Sequence, residues 1–532
     1  MPFAALLALL FFMPVASYAQ PPGRPLYAPD EVIVKFREGA AIPAIDSAIL
    51  RANGRLIKKF RILPLLHHIK VPPSTVEAAV KLLKSLPEVE YAEPNFLRYI
   101  DNTPDDTRYG EAWGLNNTGQ TGGTLDADID APEAWDITTG NPGIIVADID
   151  SGIDLSHEDL AANIYTNPGE IAGNGIDDDG NGFIDDVNGW DFAYDDNNPS
   201  DSDFACGGHG THTAGTIGAK GNNGAGVTGV NWDVKIMPLK AFKTILIFCS
   251  ASTADIINAI DYGSRMGARV FNSSYGSHSF SQAEYDAIRA SKRLFAAAAG
   301  NDGLNNDVTP TYPSSYSLNN VISVAATDHN DIRASFSNYG TANVDLAAPG
   351  VGILSTTPNN TYSVYNGTSM ATPHVTGSIA LLMGSDPALT NNEARWMILK
   401  GVDPKGLPVA TGGRLNINNT LLLPPPQVTV NVAPIGSTTV PRGGTLSYSV
   451  TLHNTALTPA TVSASVVAIT PNGSEVPQLS RTLTLQGNAT VSQTFTRTVP
   501  GSAPLGDYQV AGRVEMTSTS YDESILAFTV AP

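Results

Sequence analysis

At 532 residues the chain exceeds what one ordinary core requires, so two or three domains are expected. Only 15% of it is charged and it carries 49 Gly and 37 Pro, a turn-rich balance that suits a secreted or extracellular protein and argues against a disordered one. The formal charge of −20 is uneven: residues 20–100 hold 12 Lys+Arg against 8 Asp+Glu, and residues 101–532 hold 19 against 43. A basic leader before an acidic body suggests that the two touch, and the acidity argues against a nucleic-acid partner.

In chain order, residues 1–19 are an apolar run ending in Ser17-Tyr18-Ala19, the pattern of a signal peptide, although no Lys or Arg precedes the run. Residues 20–101 follow a βαββαβ order. EVIVKF alternates as a strand, AIPAIDSAILRANG has helical period, RLIKKFRILPLLHHIKV gives two strands, TVEAAVKLLKSLP an amphipathic helix, and VEYAEPN a last strand. From 102 to 423 short apolar strands (GIIVADID, VKIMPLKAF, ARVFNSSYG, LFAAAAGN, VISVAAT, VDLAAPG) alternate with helical segments. That predicts an α/β domain with a mostly parallel sheet, helices on both faces and its site at the strand ends. Residues 424–427 are a Pro-rich linker, and residues 428–532 alternate with period two between Gly, Pro, Asn and Ser, as in an antiparallel β-sandwich. No further stretch has the length and hydropathy of a membrane span.

Three segments at predicted strand ends or helix starts hold complementary chemistry: Asp150 in ADIDSGIDLSHEDL, His209 in GGHGTHTAGTIGA and Ser369 in NGTSMATPHV. A serine hydroxyl becomes a useful nucleophile when an imidazole takes its proton, and that imidazole needs a carboxylate to fix its tautomer. Ser369 alone reads equally well as a helix cap. The order Asp, His, Ser within DSG, HGTHTAG and GTSMATPHV resembles the subtilisin-like serine proteases over residues 102–423.

The resemblance implies a serine endopeptidase. Asp150 orients His209, His209 is general base and then general acid for Ser369, and Asn301 in AAAAGNDG joins the Ser369 backbone N–H as an oxyanion donor. It makes His212 and His374 structural, and places Pro373 within about the first turn after Ser369. It assigns substrate binding to Ser274, Tyr275 and Gly276 on one side and Ala299 and Gly300 on the other, with Thr311 near the pocket floor, Asp302 near its mouth and a preference for medium or large apolar side chains. It also implies a cis Tyr312–Pro313 bond, and reads the leader as an inhibitory propeptide cut near residues 97–107. One position departs from the family pattern: Asp148, two before Asp150, stands where an aliphatic residue is usual. A buried carboxylate there is costly unless paired, protonated or liganded.

DDDGNGFIDD puts Asp177, Asp179, Asn181 and Asp185 at positions 1, 3, 5 and 9 of a calcium-type loop, with the Phe183 carbonyl at position 7, Gly182 sixth and Asn188 where a Glu usually stands. A solvated acidic turn is the alternative. A second calcium site is implied by resemblance alone, at Asp159, Asn223 and the carbonyls of Ala225 and Val227. Two cysteines in an exported chain predict one bridge, Cys206–Cys249, two free thiols being the other option. The whole reads as a secreted, extracellular zymogen, structurally calcium-bound and monomeric, acting on proteins or peptides and inhibited by its own propeptide. The rival is a catalytically weak surface-binding protein that keeps the fold and works through its sandwich.

Overall fold

Alternation in the first strand decides the leader's architecture. In β1 (Tyr27–Phe36) Val32, Val34 and Phe36 point inward and are fully buried. They meet Ile45, Ala48 and Ile49 of α1 (Ile42–Arg51) and Ala79, Val80 and Leu83 of α2 (Val76–Lys84). With β2 (Arg55–Lys59), β3 (Leu66–Lys70) and β4 (Val89–Phe96) the strands form one sheet in the order β2-β3-β1-β4, every contact of β1 antiparallel. The computed structural model describes residues 27–97, 102–423, 427–471, 475–516 and 520–532. The expected signal peptide and most of the expected linker lie outside the described residues. Residues 1–101 and 102–532 are separate compact units.

The second unit is built on a nine-stranded sheet. Its strands are β5 (Gly140–Asp150), β6 (Trp190–Asp191), β7 (Asp233–Lys240), β8 (Val270–Ser273), β9 (Leu294–Ala298), β10 (Val321–Thr327), β11 (Leu346–Pro349), β12 (Asp403–Pro404) and β13 (Gly413–Arg414). They lie in the order β12-β13-β11-β10-β9-β8-β5-β7-β6 and all pair in parallel except β12 with β13. The near-continuous apolar runs of β8 to β11 are buried along their length, as expected of strands covered on both faces. β5 has β7 on one side and β8 on the other, so the winding of the sheet changes direction there. In open parallel sheets the crevice beyond such strand ends is where sites form.

Four helices position the chemistry or the packing around it: α3 (His209–Gly218), α4 (Thr253–Arg265), α5 (Gln282–Ser291) and α6 (Thr368–Ser385). Ser252 and Ser281 cap α4 and α5 by accepting from the N–H groups of Asp255 and Glu284. α6 is buried all round from Met370 to Met383, its few polar side chains included, the signature of a helix inside a core. Among the described residues no helix is long and apolar enough to cross a membrane.

The segment after VKIMPLKAF is a short hairpin, Lys243–Ile245 paired with Phe248–Ser250. Its tip exposes Ile245, Leu246, Ile247 and Phe248, so no half-buried alternation announced the strands. Cys249 on this hairpin is disulfide-bonded to Cys206, 43 residues earlier. Closing a loop of that size contributes on the order of 4 kcal/mol in the chain-entropy picture.

Beyond residue 427 all described elements are strands. Val428–Pro434, Thr445–Asn454 and Thr490–Thr498 make one sheet. Thr439–Pro441, Ser520–Ala531, Gly506–Met516, Ala460–Ile469 and Glu475–Leu485 make the other. Inward residues of both, among them Val432, Tyr448, Phe495, Val510 and Phe528, share one core. This β-rich region is fastened to the α/β body by Glu523, whose carboxylate accepts from Asn319 Nδ2 at 3.1 Å and pairs with Arg513, while its carbonyl accepts from Asn392 Nδ2 at 2.9 Å.

Candidate active site

Asp150 is the last residue of β5 and His209 the first of α3. His209 Nδ1 lies 2.8 Å from Asp150 Oδ1 and 2.9 Å from Oδ2, and the Ser151 N–H donates to Oδ1 at 2.7 Å. The carboxylate is buried. Burial pulls the imidazole down, but the charge and hydrogen bond of Asp150 outweigh it and push the His209 pKa up to about 9. Behind the pair, Asp201 accepts from Ser151 Oγ and from the Thr211 N–H and hydroxyl, which ties β5 to α3.

Ser369 is the second residue of α6, among backbone N–H groups with no intrahelical partner. Its hydroxyl donates to the Ser274 carbonyl at 2.9 Å rather than to His209, and Ser274 Oγ donates back to the Ser369 carbonyl at 3.1 Å. That return bond answers to Pro373, which lies inside α6 four residues, about one turn, after Ser369. Residue 373 is the one whose N–H should reach the Ser369 carbonyl, and proline has none, so the Ser274 hydroxyl takes its place.

Asn301 follows β9. Its Oδ1 accepts from the Thr368 N–H at 2.9 Å and the Thr368 hydroxyl at 3.0 Å, so the amide is fixed with Nδ2 free to donate elsewhere. A Cβ placed on Gly367 would lie 3.5 Å from the Ser369 nitrogen and 3.7 Å from Asn301 Nδ2. The absent side chain leaves open the space that these two donors border, beside Ser369.

A profile of the subtilase family (Peptidase S8) matches residues 141–419, and one of the fervidolysin N-terminal prodomain matches residues 14–95. The thermophilic serine proteinase of Bacillus sp. (strain AK1) is 36% identical over 367 residues, covering 67% of this chain and 78% of its own. Thermitase of Thermoactinomyces vulgaris is 36% identical over 269 residues, covering 50% and 84%. An extracellular protease of Xanthomonas campestris pv. campestris is 33% identical over 414 residues, covering 73% and 68%. The chain belongs to the subtilase family. It is a serine endopeptidase with a prodomain of the fervidolysin type, the arrangement of a zymogen.

Beside Ser369 this subtilase has a cavity of about 330 Å³ lined by residues 275–278, Ala298, residues 300–302, Thr311 and Thr368. Tyr275, Gly276 and Gly300 therefore face it, with Thr311 and Asp302. Ser274 and Ala299 stand behind it: the Ala299 carbonyl is taken by Asn306 Nδ2 at 2.9 Å and Asn338 Nδ2 at 3.1 Å. The Tyr312–Pro313 peptide is cis. His212 donates from Nε2 toward the Ile353 and Ser363 carbonyls and stacks on Tyr365, and burial drops its pKa to about 3. His374 is bonded to the Met370 carbonyl and burial drops it to about 4.

The acidic loop folds differently from the spacing-based expectation. Asp177 and Asp179 converge with Glu170, one carboxylate oxygen from each lying within 4.8 Å of the others. Asp185 turns away to accept from the N–H groups of Asn174 and Gly175, and Asn181 Oδ1 accepts from the Phe183 N–H. The loop curls around its own amides, Asp177 and Asp179 likewise accepting from the N–H groups of Asn181 and Gly182. Glu170 Oε2 is buried without a hydrogen-bond partner beside the other two carboxylates, an arrangement that fits a hard cation. Nothing in the sequence near Glu170 marked it, because the contact is made by the fold of the loop. At the second set, Asp159 accepts from Asn223 Nδ2 at 2.9 Å, from the Val227 N–H at 2.8 Å and from the Tyr362 hydroxyl at 2.9 Å, and Asn223 Oδ1 from the Ala225 N–H. The four residues share one loop crossing, with Asp105 bonded to the Gly224 N–H as a fifth.

Sequence reasoning also missed Lys240, which ends β7 beside Asp150. Its ammonium is buried between Asp191 at 3.1 Å and Asp203 at 3.0 Å. The three residues are far apart in the chain, so no spacing pattern connects them.

Proposed function

We propose that Asp150, His209 and Ser369 form the triad of a secreted, calcium-stabilised endopeptidase matured by removal of its prodomain. The observation that carries the reading is the pairing of Asp150 with His209 at the end of β5, with Ser369 and the fixed Asn301 amide bordering one open space. A peptide lying along residues 274–276 puts its scissile carbonyl over Ser369. The Ser369 hydroxyl then turns from the Ser274 carbonyl to His209 Nε2, loses its proton to the imidazole and attacks. Asp150 stabilises the imidazolium. Asn301 Nδ2 and the Ser369 N–H hold the oxyanion, His209 passes the proton to the leaving amine, and water repeats the sequence on the acyl-enzyme.

Export is supported by the disulfide, which persists in oxidising compartments, and by the extracellular assignment of the Xanthomonas relative. Calcium is supported by the orphaned Glu170 oxygen beside Asp177 and Asp179, which would hold the ion and lend it folded-state stability. Domain limits are placed at residues 102–423 for the protease and 428–532 for the sandwich, with maturation between residues 97 and 107. The fervidolysin-type prodomain acts as an intramolecular inhibitor until that cut.

The test is intact mass after expression of wild type and Ser369→Ala, followed by labelling with a serine-directed phosphonate. Wild type alone is expected to lose its leader and take label at Ser369. If both stay full-length and unlabelled when folded with calcium, the triad assignment fails.

A further inference from the structure

Asp148 is buried on β5, two residues before Asp150 and on the same face, and the triad mechanism gives it no role. Its Oδ1 accepts from Asn272 Nδ2 at 2.9 Å, and its Oδ2 lies 3.1 Å from Thr213 Oγ1. That same hydroxyl lies 3.4 Å from Asp150 Oδ2 and 3.0 Å from the Gly210 carbonyl. Thr213 thus stands between two carboxyl groups and a carbonyl with a single proton to give. If both carboxyl groups were ionised, two negative charges would share that one hydroxyl in the interior, with His209 Nδ1 serving Asp150 alone, which is costly.

One additional proton removes one of the two charges, and the surroundings say where it sits. Asn272 is oriented on both sides: its Oδ1 takes the Thr376 hydroxyl of α6 at 2.9 Å and its Nδ2 also serves Ser274 Oγ at 2.9 Å. Its NH₂ therefore faces Asp148 Oδ1, which must accept, and Oδ2 is left as the oxygen that bears the proton. Asp148 Oδ2–H then donates to Thr213 Oγ1, and the Thr213 proton is released toward Asp150 Oδ2 and the Gly210 carbonyl.

We propose that Asp148 is a positioning residue: a neutral carboxylic acid that donates to Thr213, which in turn donates to Asp150 and so fixes the carboxylate that aims His209. The proposal rests on the triad reading. The charged or titratable groups facing Asp148 are Asp150 on its own strand and His209 from α3, with Asp201 beyond Asp150. From β8 and α6 the facing groups are Asn272 and Thr376, both uncharged, and its register partner on β7 is Pro238. Burial, and then the charge of Asp150, hold the Asp148 carboxyl well above the usual carboxylate range, in keeping with the proton count. Asp148 also explains why an acidic residue is tolerated where the strand is otherwise apolar: as a neutral acid it is a hydrogen-bonding group, with Asn as its nearest mimic.

The test uses the mature enzyme carrying Asp148→Asn, Asp148→Val or Thr213→Val, with kcat, KM and the acid limb of kcat/KM measured on a soluble peptide. Asp148→Val and Thr213→Val are each expected to lower kcat about tenfold with KM held, as displacement of a positioned group does. Asp148→Asn, which keeps a donor and an acceptor, is expected to recover kcat to within about threefold of wild type and to leave the acid limb in place. The infrared difference between wild type and Asp148→Asn at neutral pH is expected to contain a protonated-carboxyl C=O band. A missing band, an acid limb moved to lower pH in Asp148→Asn, equal damage by Asn and Val, or no loss in Asp148→Val overturns the proposal. If Asp148→Val does not fold, Thr213→Val and the band decide. Ser369→Ala and His209→Ala run alongside: activity surviving in either breaks the triad reading instead, and the band, which needs no turnover, still reports on Asp148.

Discussion

The oxyanion role proposed for Asn301 rests on what holds its oxygen. Because Oδ1 is bound to the Thr368 N–H and hydroxyl, the amide cannot flip, and Nδ2 is presented to the space beside Gly367 without reorganisation during the reaction. Asn301→Leu is accordingly expected to cut kcat by roughly 10² to 10³ and leave KM little changed, as measured on a soluble peptide. At this scale the sequence was informative where chemistry dictates residue type. Asp150, His209 and Ser369, the proposed triad, stand out because each lies in a small-residue motif at a strand end or helix start. Glu170 did not, because nothing local marks it: its partners Asp177 and Asp179 reach it only through the curl of the loop. Pro373 is visible in the sequence, but the hydroxyl that replaces its N–H is not, since it comes from Ser274, just beyond β8 and 95 residues before Ser369.

Among the elements, β7 carries a load its apolar sequence does not advertise. Lys240 at its end is fully buried between Asp191, at the end of β6, and Asp203, which opens the segment leading to Cys206. The Ala241 and Phe242 N–H groups beyond it bond the Asp150 carbonyl at 2.9 and 3.1 Å. Lys240→Met removes the cation and strands two buried carboxylates, so a loss of about 3–5 kcal/mol is expected in denaturant unfolding of the mature enzyme. Lys240→Met combined with Asp191→Asn and Asp203→Asn should recover much of it, since uncharged partners no longer require an ion. The strands of the parallel sheet were readable as short apolar runs because both their faces are covered. The hairpin carrying Cys249 was not, since its apolar residues point to solvent and alternation has no core to record.

For the molecule as a whole, stability is expected to depend on cation binding. Chelation should lower the melting temperature of wild type, measured by calorimetry with and without added calcium, and Glu170→Gln should shrink the calcium-dependent part; an unchanged melting temperature on chelation removes the cation assignment. The division into a βαββαβ leader, an α/β body and a β-rich C-terminal region was visible in the change of hydrophobic period along the chain. The fastening of that last region was not, because Asn319, Asn392 and Glu523 are unremarkable surface residue types until folding brings them together. Where this clasp falls has a consequence. Asn319 lies just ahead of β10, at the end where the parallel strands enter the sheet, whereas Asp150 and Asn301 lie where β5 and β9 leave it. The sandwich therefore grips the protease from behind. Its fastening thus leaves the strand ends that carry Asp150 and Asn301 uncovered by that clasp.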